Sequence, residues 1–193
     1  MELEEPIKRG REMTDENGFY HRHTNFGGRY REIRSAIEEE IDLEKFDSLK
    51  IVDIGTSKGK AIDTMISNLS DSYDTDFETY AADISQEHVE KASEEENIDQ
   101  ALSARIEYLP FQNDSMDIIV CNGLMPYLPE DPEKVEHTEK NPHYTSFQEI
   151  HRILDSDGVA AVEEVNDMPY EQQYLLKKEE LGKIVEENDP EEP

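Results

Sequence analysis

Apolar residues recur along this chain in two rhythms. Tyr30, Ile33, Ile37 and Ile41 share one face at helical spacing with charges between them, which predicts a helix from Arg29 that Asp47-Ser48 ends. Leu49 to Ile54 is a short apolar run of the length of a buried strand. Ile62, Met65, Ile66 and Leu69 restore the helical period over Lys58–Leu69. Phe77–Ala82 fits a second strand ending at Asp83, and the Ser85 hydroxyl can cap a helix running to about Glu96. Arg105–Leu109 is a short strand candidate, and "MDIIVCN" from Met116 to Asn122 is a plain buried strand. Phe147, Ile150, Ile153 and Leu154 mark a helix over Thr145–Leu154. After an Asp157-Gly158 turn come a strand, Val159–Val165, and a final helix from Tyr170 to about Glu187.

Strands and helices in alternation call for an α/β fold, a mostly parallel sheet with helices on both faces. Around it lie an irregular N-terminal segment (residues 1–27), a charged loop over Pro129–Asn141 and an acidic tail (188–193), leaving 28–187 as the folded domain. Ligands of such sheets sit at the carboxyl ends of the strands. The loop leaving the first strand, "IVDIGTSKGKA", is therefore the first place to look.

Composition narrows the setting. The 193 residues suit one domain. Asp and Glu total 48 against 19 Lys and Arg, a net charge of −29. Charge of that size strains a compact state in dilute buffer and is a balance that halophiles use, so the sequence reads as a haloarchaeal type adapted to high salt. An acidic surface repels phosphates, which argues against nucleic acid as a partner. No run is apolar and long enough to span a membrane. MELEEPIKRG lacks the layout of a secretory signal, and the single cysteine, Cys121, allows no internal disulfide. A soluble, cytoplasmic protein is the expectation. Residues 8–34 depart from the acidity, with seven basic residues against four acids. They form either an arm that pairs with the acidic body or a segment that recognises anions.

Gly55 and Gly59 alone require nothing more than a tight strand-to-helix turn. Asp83 adds a second feature, a carboxylate ending the second strand, where it can accept both hydroxyls of a ribose. Dinucleotide enzymes share this arrangement, but their G-x-G-x-x-G loop seats a pyrophosphate. In this chain the spacing is G-x-S-x-G, and Asp53 stands two residues before the first glycine. An acid there repels a pyrophosphate and suits a ligand bearing an ammonium group.

"VDIGTSKG", "YAADIS", "LPFQNDSMDIIVCNGLMPYL" and "FQEIHRILDSDGVAAVEE" resemble, in order, the motifs of class I S-adenosylmethionine-dependent methyltransferases, nearest the small-molecule branch called type 11. The resemblance covers roughly residues 47–166 and implies a Rossmann-like methyltransferase fold with S-adenosyl-L-methionine as cofactor. It implies that Asp53 orients the methionine ammonium and that Gly55, Thr56, Ser57 and Gly59 form the loop against the methionine portion. Asp83 would bind the ribose hydroxyls, with Ile84 beside the adenine and Leu109 and Pro110 walling it. Asn122 would meet the methionine end. Glu149, Arg152 and Gly158 match the E-x-x-R-x-L…G segment, whose part is structural.

The sequence departs from that pattern at three places. Ser57 replaces the middle glycine. Arg105 stands where the family often has an Asp for the adenine amino group, with Glu107 as a substitute. The sheet looks shortened to about five strands at its C-terminal end, leaving an edge that a homodimer could cover. No catalytic residue is assigned; Tyr20, His21, His23, His143 and His151 are the candidate bases for a small-molecule acceptor. His21 and His23 lack a third ligand in the sequence, so no metal site is expected. "FYHRHTNFGGRYREIR" reads as a lid hinged at Gly27-Gly28, in which Arg22 and Arg29 could hold an anionic acceptor such as an acidic sugar or a carboxylate. The alternatives are a non-catalytic binding protein on this fold and a nucleotide-dependent oxidoreductase.

Overall fold

The computed structural model describes residues 26–122, 142–163 and 174–187. The body of the expected lid, with Tyr20, His21, Arg22 and His23, lies outside the described residues, as do the 129–141 loop and the 188–193 tail. The chain divides into two compact units, one up to Ala104 and the other from Arg105.

The first unit opens with helix α1, Phe26–Glu40. Its Tyr30, Ile33 and Ile37 are buried, so the helical face read from the sequence is the packed one. Strand β1 (Ser48–Ile54), helix α2 (Lys60–Ser70), strand β2 (Asp76–Asp83), helix α3 (Gln86–Ala92) and strand β3 (Gln100–Ser103) follow. β1 pairs in parallel with β2, Ile51 opposite Thr79, and β2 pairs in parallel with β3, Ala81 opposite Ala101. The carboxyl end of β1 is buried residue after residue, as a parallel strand covered on both faces must be. Ile51, Ile62 and Leu69 lie within this core.

The third strand differs from the expectation. It occupies Gln100–Ser103, ahead of Arg105–Leu109, which forms only an isolated antiparallel bridge between Arg105 and Tyr108. "QALS" is half-exposed and lacks the apolar run that marks a buried strand, which hides it from a periodicity argument.

The second unit contains β4 (Met116–Asn122), α4 (Pro142–Ile153), β5 (Leu154–Glu163), β6 (Tyr174–Lys177) and α5 (Lys178–Glu187). β4 coincides with the sequence reading. Helix α4 starts at Pro142 and not at Thr145, a position where proline's missing N–H costs nothing. Leu154 pairs with Met116 and Val159 with Ile118, so residues 155–158 stand opposite Asp117 alone. The expected Asp157-Gly158 turn is thus an irregularity inside β5. A Cβ at Gly158 would lie 2.7 Å from the Asp117 carbonyl oxygen, which is why glycine stands there.

The helix expected from Tyr170 is also corrected. Tyr174–Lys177 forms β6, antiparallel to β5, and only Lys178–Glu187 is helical. Six strands, not about five, are present among the described residues. β4 runs parallel to β5, like the pairs of the first unit, and the antiparallel β6 makes the sheet a mixed one. Lys178, Asp114 and the Leu154 carbonyl meet at the start of α5 and hold it to its unit.

Candidate active site

The loop after β1 is built by backbone geometry. The Gly55 and Thr56 N–H groups both donate to the Ala82 carbonyl, at 2.8 and 3.1 Å, which turns the chain over the end of β2. Gly55, Ser57 and Gly59 have φ of +77°, +54° and +80°. All three small positions of G-x-S-x-G therefore need the left-handed region that glycine enters freely. Serine at the middle one carries a strain of about 1–2 kcal/mol, and in return its N–H is placed on Asp83. Gly59 is needed twice over: a Cβ there would lie 2.7 Å from Ile98 Cδ1 and 3.0 Å from the Ala92 backbone.

Asp83 ends β2 almost buried. Its Oδ2 accepts the Ser57 N–H at 2.9 Å and its Oδ1 accepts the Ser85 N–H at 2.8 Å. His88, buried on α3, places Nδ1 3.3 Å from the same Oδ1. Ser85 occupies the cap position of α3 as expected, but its hydroxyl makes no capping bond. The Ser85 amide itself donates to the Asp83 carboxylate. Oδ2 keeps lone-pair capacity for a ligand hydroxyl, since a carboxylate oxygen can accept more than one bond.

Asp53 is 1% exposed, and the Tyr30 hydroxyl lies 2.8 and 3.0 Å from its two oxygens. Burial pushes its pKa up to about 6; the Tyr30 hydroxyl opposes that rise and the charge of Asp83 adds to it. A buried carboxylate whose ionisation is penalised by burial gains from an ammonium partner, which favours its charged form.

The first unit thus brings together Asp53, Gly55, Thr56, Ser57, Gly59, Asp83 and Ile84. Sequence reasoning misses two residues of this cluster. His88 is absent from the candidate histidines, although its spacing to Val89 and Ala92 puts it on the inward side of α3. Tyr30 reads as a core residue, and nothing in the sequence marks Asp53 as its partner.

In the second unit the segment at Leu109–Asn113 is clamped. Glu149 accepts the Leu109 N–H at 3.0 Å. Arg152 donates to the Leu109 and Phe111 carbonyls at 3.0 and 2.8 Å and to Glu149 at 2.8 Å. The E-x-x-R pair thus fixes the shape of the segment holding Leu109 and Pro110, the structural part expected of it. Arg105 is partly exposed and pairs at 2.8 Å with Glu107, which is buried. Asn122 is buried with both amide atoms unbonded among the described residues. Buried amides seldom remain so, and a polar ligand end would satisfy it. His151, one of the candidate bases, is half-buried; burial and the nearby Lys178 lower its pKa. A hollow of 350 Å³ at the amino end of β2, lined in part by Tyr73, Asp74, Asp76 and Asp99, lies at the end of that strand remote from Asp83. Among the described residues no cluster could hold a metal, and no helix is long and apolar enough to cross a membrane.

The residues fit an adenosyl-methionine ligand better than a pyrophosphate: a buried acid precedes the loop, and an acid with open acceptor capacity ends β2. The family profile "Methyltransferase domain" matches residues 52–162, which hold the loop, both acids and the clamp. The chain belongs to this methyltransferase-domain family. No curated protein matches it. Solved structures share its fold. A Methanococcus maripaludis protein described as an S-adenosyl-L-methionine-dependent methyltransferase is 21% identical, with a TM-score of 0.54 over 81% of this chain and 61% of its own. Haemonchus contortus phosphoethanolamine N-methyltransferase 1, bound to phosphoethanolamine and S-adenosylhomocysteine, is 16% identical, with a TM-score of 0.54 over 84% of this chain and 31% of its own. A sugar N-methyltransferase from Streptoalloteichus is 13% identical, with a TM-score of 0.54 over 81% and 51%. The chain spans less than two thirds of the length of each. The fold is accordingly the Rossmann-like methyltransferase fold.

Proposed function

We propose that this chain transfers a methyl group from S-adenosyl-L-methionine to a small-molecule acceptor, an anionic sugar or a carboxylate. The observation that carries the reading is the Asp83 carboxylate, fixed by two backbone N–H groups at the end of β2 with acceptor capacity to spare. When bound, the cofactor supplies a methyl already activated on a sulfonium. Asp83 would hold its ribose hydroxyls and Asp53 its ammonium, with Gly55, Thr56, Ser57 and Gly59 along the methionine portion and Ile84 beside the adenine. Leu109 and Pro110 would wall the adenine, and Asn122 would take the methionine end. Orientation and exclusion of water are then the main contributions of the protein.

The acceptor class rests on the basic stretch at residues 8–34 in an otherwise acidic chain, which includes Arg29 on α1. Two sequence features favour a non-catalytic binding protein, the shortened sheet and Arg105. β6 answers the first; at the second, Arg105 pairs with buried Glu107, the expected substitute, through both of its oxygens. An assay in multimolar KCl with methyl-labelled cofactor and a panel of amino sugars, uronic acids and carboxylates tests the reading. Label is expected in an anionic acceptor. Transfer confined to neutral or cationic acceptors would overturn the acceptor class, and no transfer to any class would overturn the activity.

A further inference from the structure

We infer that Tyr30 is a positioning residue of the cofactor site, whose hydroxyl holds Asp53 in its ionised, ammonium-binding form and so makes helix α1 part of that site. The inference rests on Asp53 being the partner of the cofactor ammonium and deepens that reading.

The geometry is specific. Tyr30 and Asp53 are 23 residues apart, on α1 and β1. Both are buried, at 6% and 1% exposure, so the contact is not screened by water. One hydroxyl lies within 3.0 Å of both carboxylate oxygens, which fixes the plane of the carboxyl group as well as its position. Its neighbours Ile33 and Ile37 are buried too, which anchors the helix that carries it.

The chemistry follows from the surroundings of Asp53. Three groups face it among the described residues: Tyr30 from α1, Thr56 from the loop and the Asp83 carboxylate from β2, which His88 of α3 contacts in turn. Burial and Asp83 oppose ionisation, while the Tyr30 hydroxyl supports it. A donor to the charged form lowers the pKa of an acid, so losing the Tyr30 hydroxyl must raise it. An ammonium ligand binds the ionised form, so the acid limb of its affinity reports on Asp53.

Tyr30→Phe removes the hydroxyl and keeps the ring. Calorimetric titration of wild type and Y30F with S-adenosylhomocysteine from pH 5 to 7.5 should show the acid limb of Y30F displaced upward by about one pH unit. The variant then binds roughly fivefold more weakly at pH 6, and the two proteins converge to within about twofold at pH 7.5. A purely structural role would weaken binding equally at every pH, and parallel curves overturn the inference. A wild type that binds at no pH instead overturns the reading of the cofactor site. Carbon-13 titration of the Asp53 carboxyl without ligand gives a second check: a higher midpoint in Y30F supports the inference, and an unchanged one refutes it. If Y30F fails to fold, Tyr30→Met, which fills the space with a flexible apolar chain and also lacks the donor, serves in both measurements with the same expected displacement, and no displacement refutes the inference.

Discussion

Asp53→Asn is expected to make the protein more stable at neutral pH and unable to hold its cofactor. The cause is the buried carboxylate. Its folded pKa of about 6 stands above the 3.8 of an exposed Asp, chiefly because burial penalises the charge. Between those values the native state binds the proton that the unfolded chain has lost. The contribution of Asp53 therefore falls as pH rises through this window and is fully unfavourable above pH 6. Two pH units correspond to about 3 kcal/mol. Asparagine cannot ionise and still accepts from the Tyr30 hydroxyl on one oxygen, so about 2 kcal/mol should be recovered at pH 7. That is a rise of about 5 °C in Tm for a chain of this size. Below pH 4, where wild-type Asp53 is also neutral, the two proteins should melt together. Thermal melts of both at pH 4 and pH 7 in high salt check this. A variant less stable than wild type at pH 7 would show that the carboxylate is structural.

Gly59→Ala is expected to cause the largest loss of stability. The backbone there has φ +80°, which costs an L-residue about 1–2 kcal/mol. The added methyl would also meet Ile98 at 2.7 Å and the Ala92 backbone at 3.0 Å. Ile98 can turn aside, but the backbone at Ala92 must move, and overpacking of this kind adds about 1–3 kcal/mol. The sum of about 2–5 kcal/mol is a large share of the stability of an ordinary domain. Denaturant unfolding should show a much lower midpoint with an unchanged slope. A change under about 1 kcal/mol would mean that Ala92 and Ile98 do not pack against the loop.

These two positions also show what the sequence could carry. Asp53, Gly55, Gly59 and Asp83 are legible because each stands at the end of a plainly apolar strand or in the loop that leaves it. β4 is legible for the same reason, a strong local pattern, and the E-x-x-R clamp only through its resemblance to the family segment. β3 and β6 are not. "QALS" and "YLLK" are four residues each, too short for a period to declare itself, and YLLK sits among the helix-favouring residues that make Tyr170–Glu187 read as one helix. The partners of the acids are hidden differently. Tyr30 fits the apolar face of α1 so well that its hydroxyl gives no sign, and the contact it makes is set by tertiary packing. Ser57 reads in the sequence as a simple replacement of the middle glycine. Its positive φ shows that the position is a backbone requirement, which serine meets under strain.

The central claim is that the β1 loop and Asp83 form a cofactor site. Calorimetric titration of the folded protein with S-adenosylhomocysteine in multimolar KCl, beside Asp83→Ala, tests it most directly. The account predicts binding at one site and a loss of roughly a hundredfold in the variant, the value of two hydrogen bonds to a charged group. Equal affinity in both proteins, or no heat from a folded wild type, would contradict it.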